Sequence, residues 1–207
     1  MKTKFFIGGL SLIIGTVGLV VAGPAAPKGG MMGGQAPAVK PTQPVMETPE
    51  VGKPAKDFAL KRYDTGEIVK LSDFKGKKAV MLNFFATWCG PCRSETPGFV
   101  KVYEEYKDLG VEFISVDTGE RGKDPAAVLP PFVKKFGVTW PIVLDENFAT
   151  GAAYGAQGIP TNLVISKEGI VKFYRVGGIP ERALKQELDR VLGKVEKKAD
   201  EFPDDPE

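Results

Sequence analysis

The chain contains no histidine and only two cysteines. The first absence removes whole classes of chemistry. A Ser-His-Asp triad, a Cys-His nucleophile pair, a His-ligated zinc and an axial-His haem all need an imidazole that this chain does not carry. The scarcity of cysteine limits metals further. A structural zinc needs four ligands, and two thiols without histidine do not meet the usual Cys/His pattern. An excess of either charge is missing too: 28 Lys and Arg against 26 Asp and Glu leave a formal +2. No basic cluster with interleaved aromatics occurs, so no nucleic acid partner is expected. Chemistry is left to thiols, carboxylates, lysines, tyrosines and the backbone. At 207 residues, 43% hydrophobic and 26% charged, the chain has room for one good domain plus extensions.

The extensions lie at the two ends. Lys2 and Lys4 precede an uncharged run from Phe5 to Ala22. That run is longer than the usual apolar region of a signal peptide and close to the lower limit for a spanning helix. Residues 1–22 are therefore read as a membrane anchor or as a signal peptide cleaved after Val20-Val21-Ala22. No cysteine follows to carry a lipid. Either reading exports the rest of the chain and leaves the lysines inside. Residues 23–50 are dense in Pro and Gly and lack aromatics, which suits a flexible or polyproline-like linker. Met31 and Met32 suggest a soft copper site only weakly, and a spacer is the plainer reading. Residues 194–207 form a charged tail.

Residues 51–193 are of single-domain size. The patterning alternates between strand and helix. Short strands over 57–60 and 67–70 flank a turn at Asp64-Thr65-Gly66. The continuous apolar run 77–85 predicts a central buried strand. A helix is predicted over 90–109, kinked at Pro97. A strand over 111–116 follows, then a helical stretch over 124–137, broken or restarted at Pro130-Pro131. A strand over 141–145 and a short helix over 147–156 come next. Strands 161–166 and 170–176, joined at Lys167-Glu168-Gly169, should pair as an antiparallel hairpin. An amphipathic helix over 180–193 closes the domain, with Pro180 near its start and Gly193 at its end. The sum is an α/β fold with a central mixed sheet flanked by helices.

Both thiols fall in Trp88-Cys89-Gly90-Pro91-Cys92. A structural disulfide across so small a loop removes little entropy from the unfolded chain, because that effect grows with loop length. A redox-active dithiol fits the position better. The pair follows a buried strand and opens a helix, whose positive end and free N–H groups lower a thiol's pKa. Cys89, ahead of the helix or at its cap, is the natural nucleophile. Cys92, one turn in and shielded, is placed to resolve a mixed disulfide. Pro91 suits a first helical turn. Trp88 can cover the pair, or simply pack there.

The stretches 83–97 (NFFATWCGPCRSETP) and 154–166 (YGAQGIPTNLVIS) resemble the thioredoxin superfamily. The flanks "VGKPAKDFAL", "LSDFKGKKAVMLNFF", "VTWPIVLD" and "ISKEGIVKFYRVGG" are similar to the TlpA/ResA branch, membrane-tethered extracytoplasmic proteins related to the AhpC/TSA-Redoxin group. The resemblance covers about residues 51–193 and implies a thioredoxin-like fold. It implies that Ile159-Pro160 is the cis-proline loop beside the thiols, contacting substrate with Trp88. It implies that Glu95 is the buried acid of this branch, relaying the Cys92 proton. The catalytic set so implied is Cys89, Cys92, Glu95 and Pro160. Cytoplasmic thioredoxins carry a buried aspartate where this chain has Asn83, which cannot titrate.

The implied activity is thiol–disulfide exchange, which needs no cofactor. The implied setting is the bacterial periplasm or the outer face of the inner membrane. The implied partners are exported disulfide proteins such as apocytochrome c, an integral-membrane thiol reductase as electron donor, and the membrane through the N-terminal helix. Three alternatives stay open at this level. The same dithiol could form disulfides. A copper carrier of this fold uses CxxxC and a histidine, which this chain lacks. A peroxiredoxin places threonine three residues before its cysteine, where this chain has Ala86, with Thr87 one residue on.

Overall fold

The computed structural model describes residues 46–194. The segment 1–22, the linker as far as residue 45 with Met31 and Met32, and the tail from 195 lie outside the described residues. Among the described residues no helix is long and apolar enough to cross a membrane.

In chain order the strands and helices are β1 (Ala59–Arg62), β2 (Ile68–Lys70), β3 (Ala79–Phe85), α1 (Gly90–Tyr106), β4 (Val111–Asp117), α2 (Pro125–Phe136), β5 (Ile142–Leu144), α3 (Ala149–Ala153), β6 (Thr161–Ile165), β7 (Val171–Val176) and α4 (Glu181–Val191). Single 3₁₀ turns follow β2 (Leu71–Phe74) and α1 (Lys107–Leu109). One seven-stranded sheet runs in the order β2-β1-β5-β4-β3-β6-β7. The β3–β4 and β4–β5 pairs are parallel and the others antiparallel. The expected mixed sheet and the 161–176 hairpin are both present.

β3 shows why both faces of the sheet are covered. All seven of its residues are buried. Alternation sends Ala79, Met81 and Phe85 to one side, where they pack with Phe99, Val102 and Tyr103 of α1 and with Leu184 and Leu188 of α4. Val80, Leu82 and Phe84 face the other side, against Phe58, Tyr154 and Leu163. Each large side chain so buried contributes about 1.5–3 kcal/mol relative to exposure. Aromatic pairs reinforce the α1 side: Tyr103 and Phe113 lie 5.4 and 5.5 Å from Trp140, ring centre to centre.

Three sequence expectations need correction. α2 is not broken at Pro130-Pro131 but runs unbroken to Phe136. Pro125 opens it, Asp124 caps it by accepting from the Ala126 N–H at 2.9 Å, and Gly137 closes it at φ 74°. Pro130 and Pro131 are exposed, so water can serve the Ala126 and Ala127 carbonyls that lose their helical donors, while Leu129 and Phe132 anchor the buried face. The helix expected over 147–156 shrinks to Ala149–Ala153, because Phe148 and Gly155 both take positive φ, 58° and 60°. The helix expected over 90–109 ends at Tyr106 and finishes in the 3₁₀ turn, closed by Gly110 at φ 91°. α1 continues through Pro97 as one helix.

Candidate active site

β3 delivers the chain to the site. After Phe85, residues Ala86, Thr87 and Trp88 turn, with the Cys89 N–H donating to the Ala86 carbonyl at 3.1 Å. Cys89 is the N-cap of α1, with extended backbone (φ −73°, ψ 116°). Its sulfur accepts from the Cys92 N–H at 3.3 Å, the task that a Ser or Asp oxygen performs at an ordinary cap. Pro91 in the first turn has no N–H to leave unpaired. Cys89 and Cys92 are joined as a disulfide, their Cα atoms 5.3 Å apart. Cys89 is 4% exposed and Cys92 1%.

The β6 side supplies a second wall. The Ile159–Pro160 bond is cis. The Ile159 carbonyl oxygen lies 3.5 Å from the Cys89 sulfur. In the disulfide that sulfur carries no proton and the approach is a contact; in the reduced form the thiol has a donor for it. The loop is pinned on both sides of Pro160. Thr161 Oγ1 donates to the Gly158 carbonyl at 2.6 Å, and the Gly177 N–H donates to the Pro160 carbonyl at 2.7 Å.

Glu95 sits one turn beyond Cys92 on α1, on the side facing β3 and β6. Its Oε1 accepts from Asn83 Nδ2 at 3.2 Å. Its Oε2 accepts from Asn162 Nδ2 at 3.3 Å and from the Ile179 N–H at 3.1 Å. Burial raises its pKa to about 7, against the lowering effect of these three donors.

A third wall comes from the loop after β4. Glu120, 4% exposed, accepts from the Thr87 N–H at 2.7 Å and from Thr87 Oγ1 at 2.6 Å. Trp88 Nε1 donates to the Gly119 carbonyl at 2.9 Å, and the Arg121 guanidinium lies 3.5 Å above the indole ring. Trp88 is thus held toward residues 119–121 and is 39% exposed. Arg93 Nη1 donates to the Thr87 carbonyl at 3.1 Å, closing the other flank of the turn. Asp117 is 2% exposed. Its Oδ1 accepts from the Gly119 N–H at 2.8 Å, while Oδ2 has no partner. Burial, and to a lesser degree the charge of Glu120, raise the Asp117 carboxyl to about 6.

The structure therefore brings Cys89, Cys92, Ile159 and Pro160 to one place, with Glu95 behind Cys92 and Trp88 at the rim. Sequence reasoning missed Asn162, Asp117, Glu120, Arg121 and the Ile179 N–H, and saw Asn83 only as a residue that cannot titrate. Asn162 had a signal, since it lies on β6 two residues beyond Pro160. Asp117, which ends β4, and Glu120, in the loop after it, had none, because only folding brings that loop to Thr87. Among the described residues no three His, Cys, Asp or Glu side chains gather so as to hold a metal ion.

Comparison with known proteins agrees with this geometry. The AhpC/TSA family profile matches residues 51–174. The thiol-disulfide oxidoreductase ResA of Geobacillus thermodenitrificans is 38% identical over 141 residues, covering 68% of this chain and 78% of the relative. The thioredoxin-like protein YneN of Bacillus subtilis is 35% identical over 139 residues, covering 67% and 78%. Among solved structures, a thiol:disulfide interchange protein of the thioredoxin family from Chlorobium tepidum TLS superposes with a TM-score of 0.60 at 30% identity, covering 70% of this chain and 99% of that one. The fold is thioredoxin-like, with a mixed central sheet flanked by helices. A dithiol capping a helix after the central strand, matched over most of the domain by ResA, places the chain in the AhpC/TSA family, as a thiol–disulfide oxidoreductase of the thioredoxin-like kind.

Proposed function

We propose that this oxidoreductase works as a reductant of disulfides in exported proteins, such as apocytochrome c or a copper-site assembly protein. The observation that carries the thiol chemistry is the Cys89 sulfur at the N-cap of α1. It takes the Cys92 N–H as a hydrogen bond and lies against the Ile159 carbonyl. Such a cap stabilises a thiolate through the helix dipole and the free N–H groups of the first turn. The reducing direction rests on Gly90-Pro91 and the Gly158-Ile159-Pro160-Thr161 loop, which resemble those of reducing thioredoxins.

The exchange runs in two displacements. The Cys89 thiolate attacks one sulfur of the substrate disulfide. The substrate S–S bond breaks, its other sulfur leaves as a thiolate and takes up a proton, and a Cys89–substrate disulfide remains. Cys92 then gives its proton to the Glu95 carboxylate and attacks the Cys89 sulfur. The second substrate thiolate leaves and the Cys89–Cys92 disulfide forms. Two electrons pass from the dithiol to the substrate. Pro160 and Ile159 border the nucleophile where a substrate chain must pass, and Trp88 offers an exposed apolar edge beside it.

Regeneration needs a two-electron donor, for which an integral-membrane thiol reductase is the proposed source. Residues 1–22 are proposed to anchor or export the chain, 23–50 to tether the domain 51–193, and 194–207 to trail from it as a solvated tail, with the active site in the periplasm or on the outer face of the inner membrane.

The test is reduction of an insulin disulfide across pH 5–9. The wild type should gain rate as Glu95 ionises around pH 7. Glu95→Gln should lose that limb and run on the order of 10²-fold slower at pH 8. An unchanged profile in Glu95→Gln would remove Glu95 from the proton path.

A further inference from the structure

We propose that Asn83 and Asn162 are positioning residues for the thiol chemistry: a pair of side-chain amides, their N–H donors all used, that holds the Glu95 carboxylate and leaves one acceptor site on it open for a proton. The proposal deepens the reading of Glu95 as the Cys92 proton acceptor and rests on it only for its link to catalysis.

Strand register creates the pair. Asn83 and Asn162 stand directly opposite each other on the antiparallel strands β3 and β6. Asn83 shares the parity of Met81 and Phe85, and Asn162 that of Val164, all of which pack on the α1 side of the sheet. Both amides therefore face the helix that carries Glu95. They are buried, at 5% and 1% exposure.

Proton counting fixes their orientation. An amide nitrogen has two N–H donors. Asn83 Nδ2 uses both, one on Asn162 Oδ1 at 2.8 Å and one on Glu95 Oε1 at 3.2 Å. Asn162 Nδ2 also uses both, on Glu95 Oε2 at 3.3 Å and on the Gly177 carbonyl at 3.1 Å. Turning either amide over would set oxygen against oxygen. With the Ile179 N–H, three donors converge on Glu95, from β3, from β6 and from the segment before α4.

That cage suits an acceptor-only carboxylate. A carboxylate offers about four acceptor sites, and the three N–H donors fill three of them. The open site is on Oε1, which among the described residues accepts only from Asn83, so the Cys92 proton can enter there while loss of the charge weakens all three bonds. Asn162 cannot turn without disturbing its bond to Gly177, whose N–H holds the Pro160 carbonyl. Glu95 is thus tied, through one side chain, to the loop beside Cys89. The charged or titratable groups near Glu95 are few. Cys92 lies one turn back on α1. Glu181 approaches α1 at Gly98, where a Cβ would lie 3.6 Å from its own. No ion pair involves Glu95 among the described residues. The donors oppose the burial that raises its pKa, and no charge contributes.

The test uses the full chain in detergent, labelled for side-chain carboxyl and amide NMR and titrated from pH 5 to 9, with Glu95→Gln assigning the Glu95 signal. Asn83→Ala and Asn162→Ala should each raise the Glu95 midpoint by about one pH unit, the cost of one lost hydrogen bond to a charge. The double variant should shift by less than the sum, because each amide orients the other. In the wild type the Asn83 and Asn162 NH₂ resonances should move with the Glu95 midpoint and stand still in Glu95→Gln. Unmoved midpoints in folded variants, or amide signals flat across the Glu95 titration, overturn the proposal. If the alanine variants do not fold, the wild-type amide titration decides alone. The two readings fail separately. Amides that follow Glu95 while Glu95→Gln leaves insulin reduction unchanged keep the clamp and remove the relay. A changed rate profile with static amides does the reverse.

Discussion

At the level of single residues the site runs on polar groups taken out of water. Asp117 is the simplest case. Its folded pKa of about 6 lies above the ordinary 3.8, so the folded protein holds that proton more tightly than the unfolded chain. The stabilisation this gives is fully present below about pH 4 and is lost as pH rises through 6. Asp117→Asn keeps an acceptor for the Gly119 N–H and removes the buried charge beside Glu120. It should leave stability at pH 4 nearly unchanged and raise it at pH 8 by up to about 2 kcal/mol. Urea melts at the two pH values check this, and equal effects at both would contradict it. The thiols make a second prediction. Cys92→Ala should accumulate a mixed disulfide between Cys89 and its substrate, visible by non-reducing electrophoresis. Accumulation on Cys92 in Cys89→Ser instead would reverse the roles. The cysteines were legible in the sequence because their chemistry is local: two thiols, one helix start, no competing ligand. Glu120 was not, because nothing near it in sequence says which strand or turn it will face, and Asn162 was marked only by its closeness to Pro160.

Among the elements, β3 and α2 mark the two extremes of legibility. β3 could be read from its apolar run, interrupted only at Asn83, a pattern that suits a short strand covered on both faces. α2 was misread at Pro130-Pro131, where local propensity argued for a break and tertiary packing prevailed. Leu129 and Phe132 bury the helix on a core that includes Phe85, whose ring centre lies 5.5 Å from that of Phe132. The prolines are therefore tolerated at a cost. Pro131→Ala restores an N–H for the Ala127 carbonyl and should stabilise the protein by about 1 kcal/mol, the helix gain being partly offset by a freer unfolded chain. A denaturant midpoint that falls instead would show that the prolines shape the helix rather than burden it. The opposite sign is expected on the buried face. Phe132→Ala should cost about 3–5 kcal/mol through lost contacts and a cavity.

For the whole molecule, the sheet order explains how one strand serves both stability and chemistry. β3 lies between β4 and β6. The chain leaving β3 therefore emerges between the loop after β4, which holds Thr87 and Trp88, and the loop before β6, which places Pro160 beside Cys89. Most of this architecture followed from alternation of strand and helix patterns. The crossed pairing followed less directly, because neighbours in a sheet are chosen by burial over the full domain rather than by local sequence. The central claim is that the dithiol this arrangement assembles works as a reductant. The most direct measurement is the reduction potential of the Cys89–Cys92 pair in the full chain, by equilibration against a graded thiol–disulfide buffer. The account predicts a value near or below about −250 mV, in the range of thioredoxin. A value near about −120 mV, that of a strong oxidant, would contradict it and make disulfide formation the activity.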